Sequence, residues 1–527
     1  MLTWKSTRRR RKHLAWTVLG IIFLTFIVSV YNYASATSSH LKHDLSDSTF
    51  EEREPNPLLA QHTTFWRTLH ALILNNHPQT EKKPDLVVPR NPHISYDPGH
   101  SHPRPDVLWM DQLDIERMKN AHANFVTDIR KLPATHGPVY NSGTRGIVTT
   151  ASESLLPTLT VSLHMLRNTG STLAVEIFLK TPNAHTDAFC SYVFPNLNAK
   201  CLYLSDIFDR ATTTVALSTY QYKIFSILFS SFEDVLLLDS DAWPISNPEP
   251  LFHSMPFTDV GMVLWPDFWY ASESPYFFEI AKIKDPPTLE TRPATESGEI
   301  MYSKSKHGYG IMLATYYNYY GPDYYYLLQS QGGPGQGDKE TFPWAATALG
   351  EQYYFVDHQV TSLGRHDSSG EYIGTGMVQY DPVQDFFSTT SLAAFSVDNE
   401  KSITKSRKSE PKPLFVHANF PKYDPYTIFG DDAHGIHTPT RDSNNSLVRC
   451  WMPSTDAVSL FGLDIEHRFW KSMEDSACGD LMGLWTSEDK PTKAALQELK
   501  KRDERVCKQV KEYIRTVFNS KTDELAK

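Results

Sequence analysis

The stretch Val235-Leu236-Leu237-Leu238-Asp239-Ser240-Asp241-Ala242-Trp243-Pro244 constrains this chain more than any other. Four consecutive apolar residues are too few for an ordinary helix and predict a short strand buried on both faces. The strand runs into two acids separated by one serine. Side chains at i and i+2 of a strand share a face, so Asp239 and Asp241 are expected to look into one pocket. Two carboxylates so placed either repel or share a cation. Hard divalent ions such as Mg²⁺ and Mn²⁺ take oxygen ligands and often also hold a substrate diphosphate. Pro244 is expected to stop the strand, which puts the acids at its carboxyl end, where open α/β sheets bind ligands. An isolated Asp-x-Asp is also what a solvated turn looks like, so the rest of the chain has to carry the reading.

Around that strand the pattern alternates. Residues 146–150 and 174–179 read as strands, 154–167 as a helix between them, 184–194 as helical and 201–204 as a third strand. Residues 220–232 form an apolar helix feeding straight into the strand at 235–241, and a helix is also expected within 106–133. Alternation of this kind implies βαβ units and a mainly parallel sheet flanked by helices. Residues 285–299 and 395–412 are rich in Pro, Ser, Lys and Glu and read as loops. Residues 441–527 read as a charged helical extension packed on the main domain.

A chain of 527 residues with 40% hydrophobic content can bury a large core, and its net charge of −10 argues against generic nucleic-acid binding. The basic residues are unevenly spread: Arg8 to Lys12 form a block. After this short tail (1–13), residues 14–33 form an uncharged run long enough to cross a bilayer, with Trp16, Tyr31 and Tyr33 near its ends. Positive charge before the span puts the amino terminus in the cytoplasm and the rest on the other side, the topology of a single-pass signal anchor. Ala34-Ser35-Ala36 resembles a cleavage site, but the apolar run is long for a signal peptide. Residues 34–105 carry frequent prolines and read as an extended stem, with a short helix at 64–74. Residues 106–440 are expected to be the functional domain.

The five cysteines suit an oxidising compartment. Cys190 with Cys201 and Cys450 with Cys478 are candidate pairs, although connectivity is not legible from sequence and one thiol is left over. Asn444-Asn445-Ser446 is an N-glycosylation sequon and implies an exposed loop.

Several blocks together become specific. Tyr220-Gln221-Tyr222-Lys223, the 235–241 strand and Pro248-Glu249-Pro250-Leu251-Phe252 are followed by Trp265-Pro266-Asp267-Phe268-Trp269 and Glu296-Ser297-Gly298-Glu299. Then come Gly321-Pro322-Asp323 within Tyr316–Tyr326, Gly337-Asp338-Lys339-Glu340-Thr341-Phe342, and His417-Ala418-Asn419-Phe420-Pro421-Lys422. Over roughly residues 140–430 this series resembles GT-A glycosyltransferases, and within them the fungal Golgi α-1,2-mannosyltransferases that start the side branches of mannan.

The resemblance implies a GT-A-like Rossmann-type fold and a type II Golgi membrane enzyme. Such an enzyme would transfer mannose from GDP-mannose, with Mn²⁺ or another divalent metal, onto the α-1,6-mannan backbone of N-glycans with retention of configuration. A Golgi mannosyltransferase complex would be a further partner. An α-1,3-mannosyltransferase, or a non-catalytic subunit of a mannan-polymerase complex, are the alternatives.

In such enzymes a late histidine completes the metal site, a role that falls to His417 beside Asp239 and Asp241. Lys223, Asp239, Lys422 and Thr149, at the end of the first strand, are the candidates for donor contact. Asp338 or Glu340, which follow a glycine-rich loop at 332–337, would orient a sugar or support the reaction centre opposite the leaving group. Asp267 is a further candidate catalytic acid. Trp265, Trp269 and the tyrosines of 316–326 are candidates for flat packing on an acceptor sugar. The physical logic stands beside the likeness: breaking a glycosyl–diphosphate bond puts negative charge on the leaving group, and fixed positive charge there favours the transition state.

Overall fold

Val235, Leu236, Leu237 and Leu238 send alternate side chains into two different apolar clusters, Val235 and Leu237 to one and Leu236 and Leu238 to the other. A strand of this kind must be an inner one. The computed structural model describes residues 58–88, 94–394, 410–429, 439–484 and 493–518. The expected tail and membrane span (1–33) and most of the expected 395–412 insertion lie outside the described residues. Among the described residues no helix is long and apolar enough to cross a membrane.

A two-residue antiparallel ladder, β1 (Asp85–Leu86) with β2 (Leu108–Trp109), comes first. The main sheet contains β3 (Asn141–Thr150), β4 (Val175–Leu179), β5 (Ala199–Tyr203), β6 (Phe232–Leu238), β8 (Met262–Tyr270), β9 (Pro293–Ser303) and β10 (Tyr354–Phe355), in the order β10-β8-β9-β6-β3-β4-β5. Four of its six pairings are parallel, as expected of a mainly parallel sheet. The other two belong to β9, which runs antiparallel between β6 and β8. A second sheet, not foreseen in the sequence, is antiparallel throughout. It holds β7 (Ala242–Pro244), β11 (Thr361–His366), β12 (Tyr372–Tyr380) and β13 (Pro413–His417), in the order β11-β12-β13-β7.

The long helices lie where their apolar periods put them. Gln112–Lys131, capped by the Asp111 side chain on the Leu113 amide, buries Ile115, Met118, His122, Phe125 and Ile129 at three- and four-residue spacing. It packs in the same cluster as Gln221–Phe229, Gly308–Tyr319 and Thr341–Leu349. Leu156–Asn168 is divided: Leu159, Leu163 and Leu166 join the opposite face of the main sheet, while Val161 and Met165 join the cluster under the small sheet. In that third cluster Trp243 and Val416 meet Trp451, Phe469, Trp470 and Tyr513. The helices Ile465–Asp475 and Lys493–Val517 thus share a core with the small sheet.

Three expectations need correction. Residues 285–299 are not all loop: from Pro293 they are a central strand, because Glu296, Ser297 and Glu299 turn toward polar partners and charges while Ile300 and Met301 fill the core. Residues 58–88 are not a free stem. The helix Leu59–Asn75 is longer than expected and buries Phe65, Trp66, Leu69 and Ile73 in the main cluster; its period was masked by the prolines that follow it. Cys450 is not paired with Cys478. Cys190 joins Cys201 and Cys478 joins Cys507, while the Cys450 thiol is buried 3.3 Å from the Tyr513 hydroxyl.

Trp66 is fully buried against Phe208, Phe225 and Phe229, with its indole N–H donating to Thr213 at 2.9 Å. Trp66→Ala is expected to cost about 3–5 kcal/mol in urea unfolding, as in any large core truncation. An unchanged midpoint would return this helix to the status of a stem.

Candidate active site

The strand β6 ends at Leu238, so Asp239 and Asp241 do not face one pocket as i and i+2 of a strand. They bracket a turn that carries the chain from β6 in the main sheet to β7 in the small one, and Pro244 lies within β7 rather than stopping β6. The turn is held at both ends. The Asp239 amide donates to the Gly298 carbonyl of β9 (2.8 Å), and the Ala418 amide after β13 donates to the Asp241 carbonyl (3.0 Å). Because Ala242 pairs with His417 across β7 and β13, the imidazole arrives beside both acids. His417 Nε2 lies 3.3 Å from Asp241 Oδ1 and 3.8 Å from Asp239 Oδ2.

Two lysines close on the pair. Lys223, in the helix before β6, puts Nζ 2.9 Å from Asp239 Oδ2 and donates to the Ser297 carbonyl and hydroxyl, each at 3.0 Å. Lys422, half-exposed on the loop after β13, pairs with Asp241 Oδ2. From β9 come Glu296, whose Oε1 is 3.1 Å from His417 Nδ1, and Glu299, whose two carboxyl oxygens are buried without a hydrogen-bond partner among the described residues. Asp338 approaches from the far side: its Oδ1 accepts from the Ser297 hydroxyl at 3.5 Å and its buried Oδ2 has no partner among the described residues.

Burial alone would raise the Asp241 carboxyl and lower the His417 imidazole. Their mutual attraction, with Lys422 on one and Glu296 on the other, reverses both: Asp241 is held well below the usual range and His417 well above it. Burial likewise opposes the charge on Lys223, but Asp239, Asp338 and Glu296 hold its ammonium above the usual lysine range. Where no cation touches the carboxyl, burial wins. Asp338 is pushed up to about 6, and Glu299 to about 8 with the help of its neighbour Glu296.

The geometry separates the other expected acids. Glu340 is consumed by structure. Its oxygens take Arg292 (2.7 Å), the Thr295 amide (2.6 Å) and the Thr295 hydroxyl (3.1 Å), which staples the segment after Asp338 to β9. Asp267 is paired with Lys339 (2.7 Å) and accepts from the Phe268 amide (2.7 Å). Of the three candidate catalytic acids, Asp338 alone keeps a buried oxygen without a partner. Thr149 is the penultimate residue of β3, one past the Val148–Leu237 pair, and its hydroxyl is buried without a partner among the described residues. The tyrosines Tyr316, Tyr317, Tyr320, Tyr324, Tyr325 and Tyr326 are buried, and Trp265 is buried with its N–H on the Tyr380 carbonyl (2.9 Å); these rings are core, not acceptor platform. Glu299 and Lys339 were not singled out in the sequence, although both lie inside blocks that were.

The side chains fit a hard divalent cation. One oxygen from each of Asp239 and Asp241 and one His417 nitrogen lie within 4.8 Å of one another, an O,O,N set compatible with Mn²⁺.

Comparison with known proteins agrees in kind. A family model described as a mannosyltransferase matches residues 144–293 and 288–381. Alpha-1,2-mannosyltransferase MNN23 of Candida albicans is 30% identical over 69% of this chain and 71% of its own length. MNN21 of the same organism is 32% identical over 77% of this chain, and MNN2 of Saccharomyces cerevisiae 31% over 61%. The chain spans 66% and 63% of the lengths of those two relatives. Among solved structures, an active-site mutant of LgtC aligns with 55% of this chain and 92% of its own at 12% identity. Its TM-score of 0.31 carries no argument.

Glu299 supplies a pH signature. A carboxyl raised from its ordinary value to about 8 binds a proton more tightly folded than unfolded, so its contribution to stability is lost as pH rises from about 4.5 to 8. With chelator present, Glu299→Gln is expected to melt higher than the unaltered protein at pH 8–9 and level with it near pH 4. Parallel melting curves across that range would rule the buried neutral acid out.

Proposed function

This chain belongs to the family of fungal α-1,2-mannosyltransferases, and from that premise we propose that it transfers mannose from GDP-mannose, with retention, to the 2-hydroxyl of mannose on an N-glycan mannan backbone. The convergence of Asp239, Asp241 and His417, flanked by two lysines and facing Asp338, carries the proposal. A divalent cation on the first three side chains would supply positive charge at the departing diphosphate.

The chain's own groups do the rest. Lys223, immobilised by Ser297, holds a fixed ammonium beside that charge, where a preorganised donor costs no rearrangement as the bond breaks. Lys422 brings a second ammonium to the rim. Among the three candidate acids Asp338 offers the carboxyl oxygen not already taken among the described residues, and it would face the positive charge growing on the anomeric carbon. The pinned Glu340 keeps Asp338 in place from two residues away.

The expected setting is the Golgi lumen, reached through a type II anchor. Its support is the Arg8–Lys12 block ahead of the uncharged run at 14–33.

Asp239→Ala and Asp241→Ala are each expected to lower mannose transfer from GDP-mannose about 10²–10³-fold or more, with linkage analysis of the residual product still giving α-1,2. Full activity in either variant would overturn the assignment.

Asp338→Asn and Glu340→Gln should separate cleanly. The first is expected to lose turnover at an unchanged melting temperature. The second is expected to melt lower, because it strips one of the two carboxylates that face the buried Arg292, the other being Glu273 at 3.0 Å, a loss on the order of 1.5–3 kcal/mol. The reverse pattern would move the catalytic role to Glu340.

A further inference from the structure

Glu296 is fixed from two sides. Its Oε1 accepts the Gly298 amide at 2.7 Å, so the carboxylate is tied to the backbone of its own strand. The same oxygen lies 3.1 Å from His417 Nδ1.

The seat for the imidazole is cut to size. A Cβ on Gly298 would stand 2.5 Å from His417 Nδ1 and 3.0 Å from Glu296 Oε1, well inside contact distance, so only glycine leaves room for the ring to lie against β9. Glu296 is also outside the group of atoms that could share one ion, since it meets the far nitrogen of the ring.

An imidazole can donate from one nitrogen and accept on the other only if its tautomer is set. With Nδ1–H directed to Glu296, Nε2 is the nitrogen that would give up its proton to take a cation, and it is the one that faces Asp239 and Asp241. Ligating histidines elsewhere are held in this way by a carboxylate on the second nitrogen. We infer that Glu296 is a positioning residue that sets the tautomer and ring angle of His417 for a divalent cation, with Gly298 as the clearance that lets the ring reach it. The inference rests on the metal reading of Asp239, Asp241 and His417.

Mn²⁺ binding to the full-length chain, read from the free-ion electron paramagnetic resonance signal without donor or acceptor, tests it. Glu296→Ala is expected to weaken Mn²⁺ binding about 10–100-fold, the usual effect of removing such a partner. Glu296→Gln, which keeps an acceptor oxygen but not the charge, should fall between. If Glu296 acts only through the imidazole, adding Glu296→Ala to His417→Ala costs nothing beyond His417→Ala itself, a non-additivity that a general structural role would not produce.

Unaltered Mn²⁺ affinity in the Ala and Gln variants would overturn the inference. So would an undiminished Glu296→Ala effect in the His417→Ala background. Should the Ala variant fail to fold, by circular dichroism, the Gln variant decides alone. Asp241→Ala is the separate control: if it too binds Mn²⁺ as tightly as the unaltered chain, the metal reading fails first.

Discussion

The hydrogen bond from the Asp239 amide to the Gly298 carbonyl extends the β6–β9 ladder one residue past the end of β6, and the site depends on that extension. It sets the first acid at the level of β9, so that Glu296, Ser297 and Glu299 come from one side. The chain must then leave the main sheet, and it does so in the two residues between Asp239 and Ala242. The second acid is set by the other sheet, through the Ala418 amide on its carbonyl. A metal-type donor set is thus assembled where two sheets hand over one chain. Neither sheet alone could bring Asp239, Asp241 and His417 within 4.8 Å.

Much of the fold was legible because apolar runs and helical periods are local signals. The strands at 146–150, 174–179 and 201–204 and the helices at 112–131 and 156–168 fall where the pattern places them. What was not legible follows from long-range pairing. Residues 293–299 lack the composition of a strand, and they form one because two neighbours already committed to the sheet leave a slot that only extended backbone can fill. The small sheet was hidden for the same reason: β7 is three residues long and has meaning only against β13.

The site divides along the same line. Asp239, Asp241, His417, Lys223 and Lys422 were readable because each stands at the end of, or just beside, a strongly apolar element, where a charge is conspicuous. Distinguishing Asp338 from Glu340 required knowing where Arg292 lies, forty-eight positions from Glu340 in sequence and 2.7 Å from it in space. The aromatic residues misled for a complementary reason. A tyrosine-rich helix suits a sugar platform or a core equally well, and here three of the hydroxyls bond inside the domain: Tyr316 on the Asn76 carbonyl, Tyr317 beside His122, Tyr326 on Asn318.

Charge bookkeeping then explains why so polar a centre persists inside an apolar domain. Asp239, Asp241, Glu296, Glu299 and Asp338 bring five carboxyls within one shell, against the ammonium groups of Lys223 and Lys422 and the imidazole of His417. Each ionised carboxyl in such surroundings must be paired or must take up a proton. Asp241 and Glu296, each against the His417 imidazole, are held below the usual carboxylate range, while Glu299 and Asp338, without such a contact, are pushed toward the neutral form. The balance between ionised and neutral acids is therefore set by how much positive charge the shell holds. A dication, or a substrate that brings one, shifts that balance at the acids nearest it. Asp338 lies across Lys223 and Ser297 from Asp239, so charge added beside Asp239 also acts on its carboxyl.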